Sequence, residues 1–104
     1  MRSTASLTVT LGALIALGLS TAARAEGASG QTIGLTCMVC HGDQGLGTKT
    51  IPALAGRNAD QVYEALIAFK TGKRPATVMD RHAKGYSDEE LRAVADYFAS
   101  LPAK

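Results

Sequence analysis

The sequence predicts an all-α domain of short helices and long loops, wrapped around something that side chains alone do not supply. Three observations lead there. Apolar residues recur at helical spacing behind capping signals near Asn58 and Ser87, while no run alternates with the period of a strand and no internal repeat is present. Residues 42–56, punctuated by Gly42, Gly45, Gly47, Pro52 and Gly56, form an irregular stretch too long for so small a domain unless it wraps a ligand. A domain of about 80 residues also buries little core and needs a staple. The only two cysteines, Cys37 and Cys40, stand three positions apart, so a disulfide between them would close a tiny loop and remove little unfolded-state entropy.

From the N-terminus, residues 1–25 read as a signal peptide. Arg2 starts a basic region, Leu7 to Leu19 is apolar, and Ala23-Arg24-Ala25 places small residues where a signal peptidase reads, so cleavage is expected after Ala25. The alternative, an uncleaved membrane anchor, is disfavoured. The run is short for a span, is broken by Gly12 and Gly18, and lacks a stop-transfer flank. The expected mature domain is residues 26–104, exported to the periplasm, with no membrane span after cleavage. The formal charge of +2 comes from Arg2 and Arg24, and without them basic and acidic side chains are equal in number. No cluster of Lys and Arg with interleaved aromatics remains, which excludes nucleic acid as a partner.

Glu26 to Gln31 is a small-residue lead-in, and Thr32 to Cys40 reads as a short helix. Gly30 and Gly34, four apart, lie on one side of it and would admit a second helix at close range. Asn58 caps the next helix with Gln61 in an imperfect capping box. Val62, Ala65, Leu66 and Phe69 form its apolar face, and Lys70 and Gly72 close it. Lys73 to Tyr86 is polar and is expected to be irregular. Ser87 and Glu90 form a capping box for the last helix, Asp88 and Glu89 suit its positive start, and Leu91, Val94, Ala95, Phe98 and Leu101 make its apolar stripe up to Pro102. Both stripes are assigned to core packing.

The chemistry is concentrated in Cys37-Met38-Val39-Cys40-His41, a C-x-x-C-H haem attachment signature. Thiols three residues apart on a helical turn face one side, where each can add to a vinyl group of the porphyrin, and the next imidazole lies beneath the ring within reach of iron. Other interpretations are weaker. A tetrahedral zinc site would need His82 as its fourth donor, without the usual spacing to His41. A thioredoxin-like C-x-x-C needs a preceding strand and a βαβ frame, and neither is visible. Haem c, one group, is therefore the expected cofactor, with Cys37 and Cys40 as tethers and His41 on the iron.

For the second axial ligand, Met79 and His82 are the candidates. Met1 leaves with the signal segment, and Met38 sits inside the attachment turn. A thioether opposite histidine would favour ferrous iron, and an imidazole would give a lower-potential centre. A lone methionine is more often core filler. Met79 lies in a polar stretch instead, which favours its being a ligand, whereas His82 suits a surface imidazole.

These residues resemble the class I cytochromes c of the small bacterial type, over Thr36 to Pro102. The likeness rests on Cys37 to Gly42, on Ile51-Pro52-Ala53-Leu54-Ala55-Gly56, on Ala65 to Gly72, on Ser87 to Leu91 and on Tyr97 to Pro102. The resemblance implies Met79 as distal ligand and the Pro52 carbonyl as acceptor for the His41 ring. It also implies terminal helices that cross, with Gly30 or Gly34 near Tyr97 or Phe98. The run from Arg74 to Glu90 is further similar to the cytochrome subunit of flavocytochrome c, the sulfide dehydrogenase, although His82 and Arg57 depart from that pattern. With one C-x-x-C-H the chain would be the monohaem kind, taking electrons from an FAD-containing sulfide dehydrogenase subunit without being catalytic itself. The same residues admit two alternatives. One is a freestanding diffusible carrier, and the other, of a different class, is a haem sensor or peroxidase-like protein with an open iron position.

Overall fold

The computed structural model describes residues 27–104, so the expected signal segment, residues 1–25, lies outside the described residues. Among the described residues all regular structure is helical, as expected. In order come α1 (Gly30–His41), a 3-10 turn (Asp43–Gly45), α2 (Ala59–Lys70), α3 (Met79–Lys84) and α4 (Asp88–Ser100).

Local chemistry sets the helix starts. The Ser29 side chain accepts from the Thr32 N–H at 3.1 Å, so α1 begins two residues before the expected Thr32. Asn58 caps α2 by accepting from the Gln61 N–H at 3.1 Å. In α4 the capping box is complete: Ser87 Oγ accepts from the Glu90 N–H, and Glu90 Oε2 accepts from the Ser87 N–H at 2.9 Å. Glu90 Oε1 also accepts from the Ala28 N–H at 3.0 Å, which ties the lead-in to the start of α4.

Those backbone bonds, Ser87 first and Ala28 second, hold the Glu90 carboxyl below the usual carboxylate range. A depressed folded-state pKa adds stability above the group's ordinary pKa and loses it as pH falls through the folded value. Glu90→Gln is therefore expected to be less stable than the parent at neutral pH, with the gap closing in acid. Urea midpoints measured across that range test this. A gap that does not change with pH would refute the assignment.

The core is formed where α1 crosses α4, with Ile33, Val94 and Phe98 packed together and Leu91 and Ala95 buried beside them. The crossing is close because of two glycines on one face of α1. A Cβ on Gly30 would collide with the Ala93 carbonyl of α4, and one on Gly34 would lie 2.6 Å from the Tyr97 ring. α2 packs against α3 and α4. Lys70 Nζ, near the end of α2, donates to the Tyr86 carbonyl at 2.8 Å and to Asp88 Oδ1 at 2.7 Å, bracketing α3 from outside. Arg92 of α4 pairs with Asp60 of α2 at 2.8 Å and lies over the Tyr63 ring. Exposed pairs of this kind are worth at most about 1 kcal/mol, so they orient α2 more than they stabilise it.

One expectation is corrected. Lys73 to Tyr86 is not irregular throughout, because Met79–Lys84 is helical. This helix has six residues, no side-chain cap at Val78 and a single buried residue, Ala83. It is too short to print a helical period in the sequence, and α2 supplies its support.

Candidate functional site

The last turns of α1 bring Cys37, Cys40 and His41 together at its C-terminal end. Cys37 is half-buried against the Ile33–Val94–Phe98 cluster, Cys40 is exposed and His41 is buried. Both thiols are free. Burial pushes the Cys37 thiol above its ordinary range. A thiol that exchanges disulfides needs the opposite shift. Among the described residues, no three His, Cys, Asp or Glu side chains gather in a metal-holding group, so His82 does not join Cys37, Cys40 and His41 as a zinc set would require.

Gly42 ends α1 with φ 85°, a left-handed turn that sends the chain back beneath the helix. The loop after it is held by its own backbone. Gly47 N–H donates to the His41 carbonyl at 2.6 Å, Leu54 N–H to Gly45 at 2.8 Å, and Gly56 N–H to Phe98 of α4 at 2.9 Å. This path returns Pro52 to His41, and Nδ1 of the ring donates to the Pro52 carbonyl at 2.7 Å. A carbonyl can only accept, so Nδ1 carries a proton, and in the neutral ring Nε2 then keeps the lone pair.

Opposite, α3 closes a narrow apolar cleft lined by residues from α1, α2, α3 and α4, among them Cys37, Leu66, Met79, His82 and Val94. Met79 is half-buried there as the first residue of α3, and His82 stands exposed at the rim. The sequence singled out both side chains, but it did not reveal the helix that carries them or their place on one wall with Cys37. Tyr86, also on that wall, was not anticipated. Its hydroxyl lies 3.4 Å from Thr36 Oγ1 of α1. A larger open groove, about 260 Å³, runs beside Tyr63, Ile67 and Lys73, but it carries no thiol, imidazole or thioether.

The donor set suits a haem: two thiols on one turn, an imidazole with its lone pair free, apolar walls and a thioether on the facing helix. The cleft encloses about 30 Å³, against roughly 300–1,000 Å³ for ordinary ligand pockets. Seating a macrocycle there requires α3 to stand away from α1.

The family model described as cytochrome c oxidase, cbb3-type, subunit III matches residues 23–98. The cytochrome subunit of sulfide dehydrogenase from Chlorobaculum tepidum is 44% identical over 75 residues, covering 72% of this chain and 68% of that one. Cytochrome c-553 of Nitratidesulfovibrio vulgaris is 34% identical, over 86% of this chain and 89% of the relative. Among solved structures, the cytochrome c4 of Acidithiobacillus ferrooxidans superposes with a TM-score of 0.64 at 27% identity, over 76% of this chain and 53% of the other. Two further curated relatives are longer, and the chain spans 33% and 28% of their lengths. Covalent haem c is what membership of this family implies, and its small members carry electrons without catalysing a reaction. The chain belongs to the class I c-type cytochromes and is an electron carrier.

Proposed function

We propose that this chain is a periplasmic monohaem electron carrier that serves as the cytochrome subunit accepting electrons from an FAD-containing, sulfide-oxidising flavoprotein. In this reading Cys37 and Cys40 tether the haem, His41 and Met79 flank its iron, and residues 1–25 are removed after Ala25. The observation that carries it is the pairing of two features. Met79 and Cys37 line one apolar cleft, while His41 is fixed through Nδ1 by Pro52 with Nε2 left free.

When bound, haem supplies an iron that gains or loses one electron. The chain's residues set the conditions for that. The Pro52 carbonyl fixes the tautomer and plane of His41 and makes Nε2 a better donor. The Met79 thioether favours the ferrous state, and the apolar walls keep water from the centre. The sulfide dehydrogenase relative supports the choice of partner.

Gentle purification from the native host tests the partner: a flavoprotein should accompany the cytochrome and pass electrons to it when sulfide is added. A cytochrome that elutes alone and stays oxidised with sulfide points to the second reading, a freestanding carrier. That reading is favoured by the likeness to cytochrome c-553, which spans nearly the whole of that small protein. For the ligand, the weak near-infrared absorption of a methionine–ferric bond should vanish in Met79→Ala and survive in His82→Ala. The reverse pattern would reassign the iron to His82. N-terminal sequencing of the mature protein should begin at Glu26.

A further inference from the structure

The geometry points to His82 as a second iron ligand held beside Met79, which takes the iron when the Met79 sulfur leaves it. This rests on the haem site proposed above. Met79 and His82 occupy positions three apart on α3, so they lie on one face of it, and both line the wall that also carries Cys37. A side chain three residues further along an α-helix is displaced by about 4.5 Å along the axis. A slip of α3 by that distance, with a rotation of about 60°, brings the imidazole to the place of the thioether.

The N-terminal side of α3 is loosely held, so a shift there works only against the α2 packing and the buried Ala83. Val78 provides no side-chain cap, and residues 71–78, which lead into the helix, are all exposed. In its present seat Asp80 keeps Oδ1 buried with no hydrogen-bond partner among the described residues, so the outward movement of α3 that admits the haem is favoured. At the other end Lys70 holds the Tyr86 carbonyl and Asp88, so the chain is anchored two residues beyond α3 and Gly85 must take up the movement.

The exchange is balanced. One iron–sulfur bond breaks, one iron–nitrogen bond forms, and no electron moves. If the imidazole is protonated, its proton passes to water first. Methionine opposite histidine raises the potential, so His82 in its place lowers it. His82 would then favour the ferric state, giving one centre a setting that accepts electrons and another that gives them up.

Met79→Leu removes the sulfur while nearly conserving volume, so the fold should be kept. The haem-loaded variant is expected to lose the near-infrared band yet stay low-spin in the ferric state, with the paramagnetic resonance of a bis-imidazole centre and a lowered midpoint potential. Met79→Leu/His82→Ala should be high-spin and, when reduced, should bind carbon monoxide readily. A high-spin Met79→Leu, identical to the double variant, overturns the inference while leaving Met79 as the ligand. A near-infrared band that survives Met79→Leu removes the Met79 assignment itself, and the inference falls with it. A second measurement needs no Met79 variant. Ferric wild type and His82→Ala are warmed until the band fades; the first should pass to a low-spin species and the second to a high-spin one. The same spin state in both would refute the exchange.

Discussion

A Cys37→Ser/Cys40→Ser double variant, produced in a maturation-competent cell, is expected to emerge colourless and without a cooperative unfolding transition. Loss of covalent attachment follows from the proposed chemistry, because a serine hydroxyl does not form the thioether that each thiol would make with a vinyl group. The loss of cooperativity follows from size. The buried apolar set of the described domain is short, with Ile33, Leu91, Val94, Ala95 and Phe98 at the α1–α4 crossing and Ala55, Val62 and Ala83 around it. Small single domains stand only about 5–15 kcal/mol above unfolding, and those near this length commonly lean on a staple. Tethering makes haem part of the chain, so that its apolar surface is buried without the entropic cost of a separate binding event. Mass spectrometry, haem staining on a denaturing gel and circular dichroism during a thermal scan read the two effects separately. Each single variant should keep one thioether and an intermediate transition. A double variant that melted like the parent would remove the haem from its place in the interior.

What could be read in the sequence divides along a physical line. α4 was legible because its signals are local: Ser87 and Glu90 are one turn apart, and Leu91, Val94, Ala95 and Phe98 repeat over enough turns to show a period. The Asn58 cap of α2 was legible for the same reason. The start of α1 fell two residues short because Ser29 caps it from within a run of small residues that resembles a flexible leader. α3 was missed because six residues cannot display a period and its stability comes from α2, a partner distant in sequence. The site shows the same division. Spacing alone singled out Cys37, Cys40 and His41 as the proposed attachment residues. By contrast, the hydrogen bond from His41 to Pro52 depends on the path of the whole intervening loop, and only the family likeness suggested it. The shared wall of Met79 and His82 is likewise a tertiary fact, since nothing in their spacing distinguishes a cleft-facing pair from a surface pair.

Gly30→Ala and Gly34→Ala should both destabilise the domain, although replacing a helical glycine with alanine ordinarily helps. Alanine at a helix interior, the position of Gly34, is favoured over glycine by about 1 kcal/mol, and the gain is smaller at Gly30, the first residue of α1. Against that stands overpacking, which costs typically about 1–3 kcal/mol where the surroundings cannot yield. At Gly34 the added methyl meets the Tyr97 ring, and a ring can be trimmed or turned. At Gly30 it meets the Ala93 carbonyl and the Val94 amide, which are backbone of α4 and cannot be trimmed. Gly30→Ala should therefore be the costlier change, because relief requires α1 to rise off α4. Ile33 and Cys37 lie on the face that would lift, so the attachment turn would move with it. Tyr97→Ala separates the two cases. Combined with Gly34→Ala it should recover part of the loss, a coupling visible in a double-mutant cycle, whereas combined with Gly30→Ala it should recover nothing. Equal rescue at both positions, or a stabilised Gly30→Ala, would mean that the helices do not meet backbone to side chain at this crossing. The position of the C-x-x-C-H turn would then need another explanation.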